Sequence, residues 1–416
     1  MARSTVFRYK DHDRDAQAVG RALNVRAVLL GRVSQRDKRV VLNVELVSVA
    51  DGSQLWGEQY DRNFAEMGAV EEAIAKEVAE KLRLRLTGEQ KQRLGRKQTQ
   101  NAEAFQLYLK GRHHWNKRTE EGLKKAIQCF EEALAIDPVY ALANAGLADC
   151  YNLPHFGALS PREAGLRAKA AAVKALEIDE NLAEARAALA FAKFEFDWDW
   201  AGAEREYKRA IELNPNYAPA HYGYGSYLQV LGRFDEAVAE LRRAEELDPL
   251  SLIISVNVGF VHYCERRYDQ AIEQYHKTLE LDARFAWAHY MLGLANLEKR
   301  KSQEAITALE RARHLDDSPV ILAGLGHALA RSGERAKAIE VLDQLQELSK
   351  ERPVAAYDVA TVHAGLGDKE QAFACLEKAY EDRGLWMPLL RVDPTLDSLH
   401  SDPRFTELLR RMKFPP

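Results

Sequence analysis

Three windows of thirty-four residues follow one another without a gap between Tyr217 and Ser318. Gly225, Gly259 and Gly293 recur at that step, and so do Ala237, Ala271 and Ala305. A large residue follows each of these alanines by four places: Leu241, Tyr275 and Leu309. A period of this length dictates a helix–turn–helix unit that cannot bury its apolar face alone and must stack on its neighbours. The glycines and alanines mark close approach of facing helices, where only small side chains fit. The large residue is expected to fill the wedge between one hairpin and the next.

Weaker copies flank the regular ones. The first opens near Asn101 and uses Gly111, Ala126, Phe130 and Ala133; the second uses Leu147, Ala148, Ala168, Ala172 and Ala175. The third carries Ala190, Ala203, Tyr207 and Ala210, with Asp197-Trp198-Asp199-Trp200 in its turn. The seventh has Gly326, Gly333, Ala338 and Leu342, and the eighth Ala360, Gly367, Ala372, Leu376 and Ala379. Pro138, Pro215 and Pro249, each preceded by Asp or Asn, close the second helices of their units, since proline has no N–H for the next helical bond. The spacing thus predicts a mainly α fold, a right-handed α-solenoid of about eight helical hairpins over residues 101–384. A capping segment at 385–416 follows, with an apolar run from Trp386 to Leu390 and a last helix opened by Asp402-Pro403.

Residues 1–66 have a different pattern. Ser4–Lys10 alternates like a strand, and Asp13–Leu23 has helical spacing. Three strand-like runs come next, Val25–Gln35, Arg39–Val49 and Ser53–Tyr60, turned by Arg36-Asp37-Lys38 and by Asp51-Gly52. Leu42, Val44 and Leu46 fall on one face, which is expected to be packed. Residues 67–100 read as a helix, Met67–Leu86, and a polar linker, Gly88–Gln100. The edge of the meander offers a seam for pairing with a second copy.

The chain resembles a known combination of parts. Gly20–Val33 (Gly-Arg-Ala-Leu-Asn-Val-Arg-Ala-Val-Leu-Leu-Gly-Arg-Val) and Leu55–Arg62 (Leu-Trp-Gly-Glu-Gln-Tyr-Asp-Arg) resemble the small α/β domain called TolB amino-terminal-like. In bacteria that domain commonly precedes arrays of tetratricopeptide (TPR) repeats, and Leu107–Arg112 with Gly146–Asp149 continues the likeness. The resemblance implies the sensory or scaffold half of bacterial Ser/Thr protein kinases, adenylate cyclases or winged-helix regulators. It also implies an α/β domain truncated at its start, whose opening strand and helix would precede Met1. A Gly-rich phosphate loop, an H-R-D loop and D-F-G are absent from the sequence, so kinase activity is not carried over.

Composition narrows the function classes. A net charge of −4 with no basic stripe argues against nucleic-acid binding by the array. No apolar run reaches eighteen residues. Cys129, Cys150, Cys264 and Cys375 stand far apart, without a C-x-x-C pair. Reduced thiols fit a cytoplasmic location; the alternative is the periplasmic portion of a longer membrane-anchored protein. Gly223-Tyr-Gly225 and Gly324-Leu-Gly326 lack the third glycine and the preceding strand of a dinucleotide loop. Adjacent His113 and His114 point to different helix faces, so no metal or other cofactor is expected. No catalytic constellation emerges, and the chain reads as a non-enzyme.

One pattern points to binding. In a stacked array the first helix of each hairpin lines the concave surface. The corresponding positions hold Phe191, Phe194, Tyr222, Phe260, Tyr263, Trp287, Tyr290, His327 and Tyr357, with Asn257 available to bond a peptide backbone. Aromatic rings give large contact area at small entropic cost, which suits a groove for a protein or peptide segment. The Lys, Arg and Asn set of a carboxylate clamp is missing. The expected function is an interaction scaffold or sensory module with a peptide in that groove. The alternative is the regulatory region of a signalling enzyme or transcription regulator.

Overall fold

The computed structural model describes residues 15–23, 25–36, 39–63, 99–117, 119–153 and 159–415, with positions 70, 73, 74, 77, 78 and 81. The expected strand Ser4–Lys10, the turn at Asp37-Lys38 and most of the linker Gly88–Gln100 lie outside the described residues. Two compact units meet in sequence at Gly146 and Leu147.

In the first unit, α1 (Ala16–Ala22) is capped by the Asp15 side chain, which accepts from the Gln17 N–H. Strands β1 (Ala27–Arg36), β2 (Arg39–Ser48) and β3 (Gln54–Asn63) form an antiparallel sheet in the order β1-β2-β3. Gly52, at φ +74°, supplies the left-handed turn between β2 and β3. Leu42, Val44 and Leu46 alternate onto one packed face as the sequence predicts, Val44 and Leu46 buried and Leu42 half-buried, joined there by Trp56. Ile74 and Val78, from the helical positions after β3, pack on this face, and the Trp56 indole donates to Glu77 at 2.9 Å. Helices α2 (Ala102–Trp115) and α3 (Glu120–Ile136) then form the first hairpin, capped by the side chains of Asn101 and Thr119.

Helix α4 (Ala141–Tyr151) carries the chain into the second unit, followed by α5 (Pro161–Ile178), α6 (Ala183–Ala192) and α7 (Trp200–Leu213). Next come α8 (Ala218–Val230), α9 (Phe234–Leu247), α10 (Leu252–Cys264) and α11 (Tyr268–Leu281). The array ends with α12 (Ala286–Glu298), α13 (Ser302–Leu315), α14 (Pro319–Arg331), α15 (Arg335–Leu348), α16 (Ala356–Leu366) and α17 (Lys369–Glu381). Taken in pairs from α2, these helices are the eight hairpins of the α-solenoid. Ala237, Ala271 and Ala305 are fully buried.

The large residue of the period has a second contact besides the one expected. A methyl group on Gly259 would stand 2.5 Å from the Tyr275 ring, and one on Gly293 2.5 Å from the Leu309 side chain. Each large residue therefore fills the gap over the glycine inside its own hairpin and shares a core cluster with the next one, Tyr275 with Ala288 and Met291, Leu309 with Leu322 and Ala323. Glycine is required there because the facing side chain already occupies the volume of a Cβ.

The third hairpin departs from the period. Its first helix runs into a π-helical turn, Lys193–Asp197, and Trp198 adopts the left-handed region at φ 58° before Asp199 caps α7. Trp198 lies under the Arg383 guanidinium, 3.8 Å from the ring centroid.

After α17 the chain forms two 3-10 turns, Met387–Arg391 and Pro394–Leu399, and then α18 (Pro403–Arg411), with Asp402 as the capping residue the sequence predicts. The sequence assigns this segment only the sealing of the last hairpin. It does more. Met387, Leu390, Leu396, Leu408 and Met412 are wholly buried in one cluster with Trp200, Tyr227 and Val258. The Trp200 indole donates to the Met412 carbonyl at 3.0 Å, and its ring stacks on Phe414 at 4.5 Å. Residues 385–415 thus form a strap running back to the third hairpin.

Candidate interaction surface on the inner helices

The first helix of a hairpin is apolar on most of its circumference, because it touches its own partner and the helices on either side. In α10 nine of thirteen residues are buried. Of the four positions left over, Phe260 carries a predicted ring, while Tyr263 is among the buried nine.

Phe191 is half-buried, and its ring meets that of Phe194 edge-on at 5.2 Å. Phe194 itself is buried against Tyr207 and Tyr227. It lies on the π-helical turn and belongs to the packed interior, a correction to its groove assignment. Tyr222 is half-buried. The Asn257 amide donates to the Ile253 carbonyl one turn earlier at 2.7 Å, so this donor is engaged within its own helix rather than kept for a ligand.

The other six predicted residues converge. Phe260, Tyr263, Trp287, Tyr290, His327 and Tyr357 line one cavity of about 40 Å³. Trp287 and Tyr290 stack at 4.7 Å. Tyr263, His327 and Tyr357 are 1%, 1% and 3% exposed, so their expected open placement is also corrected. The covering element is the strap, whose Trp386, Leu389, Asp393 and Thr395 complete the cavity wall. Trp386 stacks on Trp287 with ring centroids 6.0 Å apart and planes 13° from parallel. The spacing located these inner positions and could not show what lies over them.

The polar contacts explain how a polypeptide is held here. Arg266 donates to the Val392 carbonyl at 2.7 Å and to Asp397 at 2.5 Å. The Tyr357 hydroxyl donates to Asp393 Oδ2 at 2.8 Å. Asp393 Oδ1 accepts from the N–H and the hydroxyl of Thr395, at 2.9 and 2.8 Å, and so caps the second 3-10 turn. His327 donates from Nδ1 to the Thr361 carbonyl at 2.7 Å. Burial drives its pKa down to about 4, leaving the ring neutral. Among the described residues neither Tyr263 Oη nor His327 Nε2 has a hydrogen-bond partner. Beside them Asp358 is raised to about 7, by burial first and then by the charge of Asp393.

Arg266, Asp358 and Asp393 were not found by the sequence reasoning. Two signals were available: Arg266 stands thirty-four residues after Gly232, and Asp393-Pro394 repeats the Asp-Pro signature of Asp402-Pro403.

Among the described residues no group of three or more His, Cys, Asp or Glu is placed to hold a metal ion, and no helix is long and apolar enough to cross a membrane. The four cysteines are free thiols, and burial pushes Cys264 well above the usual thiol range.

Residues 199–251 match the family described as tetratricopeptide repeat, and residues 266–299 the family described as TPR repeat. The chain is 30% identical over 148 residues to putative adenylate cyclase 3 of Rhizobium meliloti, covering 36% of this chain and 25% of that one. It is 29% identical over 133 residues to the transcriptional regulator HilA of Salmonella typhimurium, covering 32% of this chain and 24% of that one. The chain thus spans about a quarter of the length of these curated relatives. Among solved structures, a thermophilic TPR protein of Thermus thermophilus aligns with 47% of this chain and 99% of its own, at 20% identity and a TM-score of 0.40.

Proposed function

From a chain that carries tetratricopeptide repeats, we propose a non-enzymatic scaffold that binds a protein segment along the inner face of α10, α12, α14 and α16. The observation supporting this is that the face already holds a polypeptide, the chain's own strap, by ring stacking and by side-chain bonds to its main chain. A partner presenting an aromatic ring, two or three aliphatic side chains and a capping carboxylate would meet the same chemistry. Binding would rest on a few buried rings more than on total area. In this form the strap is the occupant, so a partner must replace it.

The test uses the full chain with the half-buried strap residues weakened, Trp386→Ala with Leu389→Ala. A fluorescent synthetic peptide of sequence 385–399 is expected to bind this variant saturably and the unaltered chain far more weakly. The tethered strap competes at an effective concentration on the order of millimolar. Adding Trp287→Ala and Tyr290→Ala should abolish binding. Absence of binding by the strap-weakened variant, with its helical circular dichroism intact, counts against the inner face as a binding surface.

A second reading is favoured by the likeness to an adenylate cyclase and to a transcription regulator. In it the array is the regulatory region of such a protein. Mass spectrometry of the polypeptide from its native cell tests this: an effector domain in the same molecule supports it, and its absence removes it.

A further inference from the structure

Where the strap crosses the inner face, two carboxyl groups from different parts of the chain line one cavity. Asp393 belongs to the strap and Asp358 to α16, and both line the 40 Å³ cavity. Asp393 is fully engaged as an acceptor from Tyr357 and Thr395. The Asp358 carboxyl, on a residue 6% exposed, makes no hydrogen bond to another described residue. The nearby cations are committed elsewhere: Arg266 to Asp397 and the Val392 carbonyl, and Arg331 to Glu298 at 3.5 Å. From α14 the cavity receives His327, held neutral; from α10, α12 and α16 it receives Tyr263, Tyr290 and Tyr357, whose hydroxyls burial keeps protonated. Among the described residues Asp393 also faces Glu298 of α12, whose pKa burial raises, and His400 at the end of the second 3-10 turn, whose pKa burial lowers.

We propose that Asp358 and Asp393 form a proton-held clasp, in which one proton on Asp358 keeps the strap seated and its loss frees the inner face for a partner. This regulation rests on the scaffold function proposed above. The physical reason is that two like charges in an enclosed cavity repel strongly, whereas a neutral carboxyl beside a carboxylate does not. Lifting the strap returns Asp358 to water, where its pKa falls towards the ordinary aspartate value of 3.8 from about 7. The closed form therefore binds the proton more tightly than the open form. Opening grows as pH rises through the interval between the two values and levels off above the higher one. Linkage gives an increase in opening of roughly fiftyfold between pH 5 and pH 7, and less than about twofold more by pH 8.

Hydrogen exchange on the full chain tests the clasp, read as protection factors so that the intrinsic pH dependence of exchange is removed. The reporters are the amides of Val392, Asp393 and Leu396, which donate within the strap to Leu389 and Asp393. Their protection is expected to drop by about fiftyfold from pH 5 to pH 7 while amides of α11 change little. Asp358→Asn, and Asp358→Leu as a second neutral variant, should keep the high protection across that range, losing most of the pH dependence. An unchanging wild-type profile, or an equal slope in both variants, overturns the proposal. Full restoration of protection at pH 7 by sodium, magnesium or calcium also overturns it, by assigning a cation in place of the proton. Should the strap-weakened chain bind the peptide with no pH dependence in exchange, the scaffold stands and the clasp alone falls.

Discussion

At the residue scale, the turns inside the hairpins set a local conformation against a distant contact. Gly232, Arg266 and Arg300, thirty-four residues apart, all adopt positive φ, at 76°, 64° and 61°. For an arginine this costs on the order of 1 kcal/mol that glycine does not incur. Arg300→Gly is therefore expected to stabilise the chain by about 0.5–1 kcal/mol, partly offset by the greater freedom of glycine when unfolded, measurable as a higher urea midpoint at constant m. Arg266→Gly relieves the same strain yet removes the bonds to Val392 and Asp397, so the strap amides should lose protection despite the eased turn. The thirty-four-residue step from Gly232 marks, in hindsight, where a left-handed residue belongs but not why arginine occupies one of those places. Asn257 and His327 teach the same lesson. Their helix positions were legible, whereas their polar atoms bond to carbonyls that only the folded backbone brings near.

At the scale of elements, the hairpin is the unit the period encodes, and its tightest point is glycine against a large side chain. Gly259→Ala places a methyl group into the Tyr275 ring, which is wholly buried and has nowhere to move. The expected loss is about 1–3 kcal/mol, read as a lower urea midpoint. The last helix start and several helix ends were legible because the signals are local: Asp402 caps with its side chain, and Pro138, Pro215 and Pro249 follow the helices they end. The strands of the sheet were legible from alternation alone. The strap was not, since 3-10 turns have no amphipathic repeat and apolar residues at 386–390 look the same whether they seal one hairpin or cross several.

At the scale of the second unit, an open solenoid is held by neighbours only, so its stability is a sum of local terms and its ends fray first. Here the strap ties the third hairpin to the end of the chain through Trp200, Met412 and Phe414. Unfolding of residues 147–416 should thus be more cooperative than neighbour contacts alone allow. Ending the chain at Leu399 is expected to lower the apparent m-value and broaden the urea transition, with tryptophan fluorescence and circular dichroism no longer coincident. Coincident transitions of unchanged steepness would show that the tie contributes little to cooperativity.

The bond between Trp200 and Met412 spans 212 residues of sequence. During translation, at roughly 5–20 residues per second, the indole waits about ten to forty seconds before its partner is made. Most of the helices can form as they emerge, but their inner rings stay wet until residues 385–415 have left the ribosome. Nascent chains are consequently most exposed to aggregation just before that segment emerges, and a chaperone that shields them has its target on that still uncovered aromatic strip.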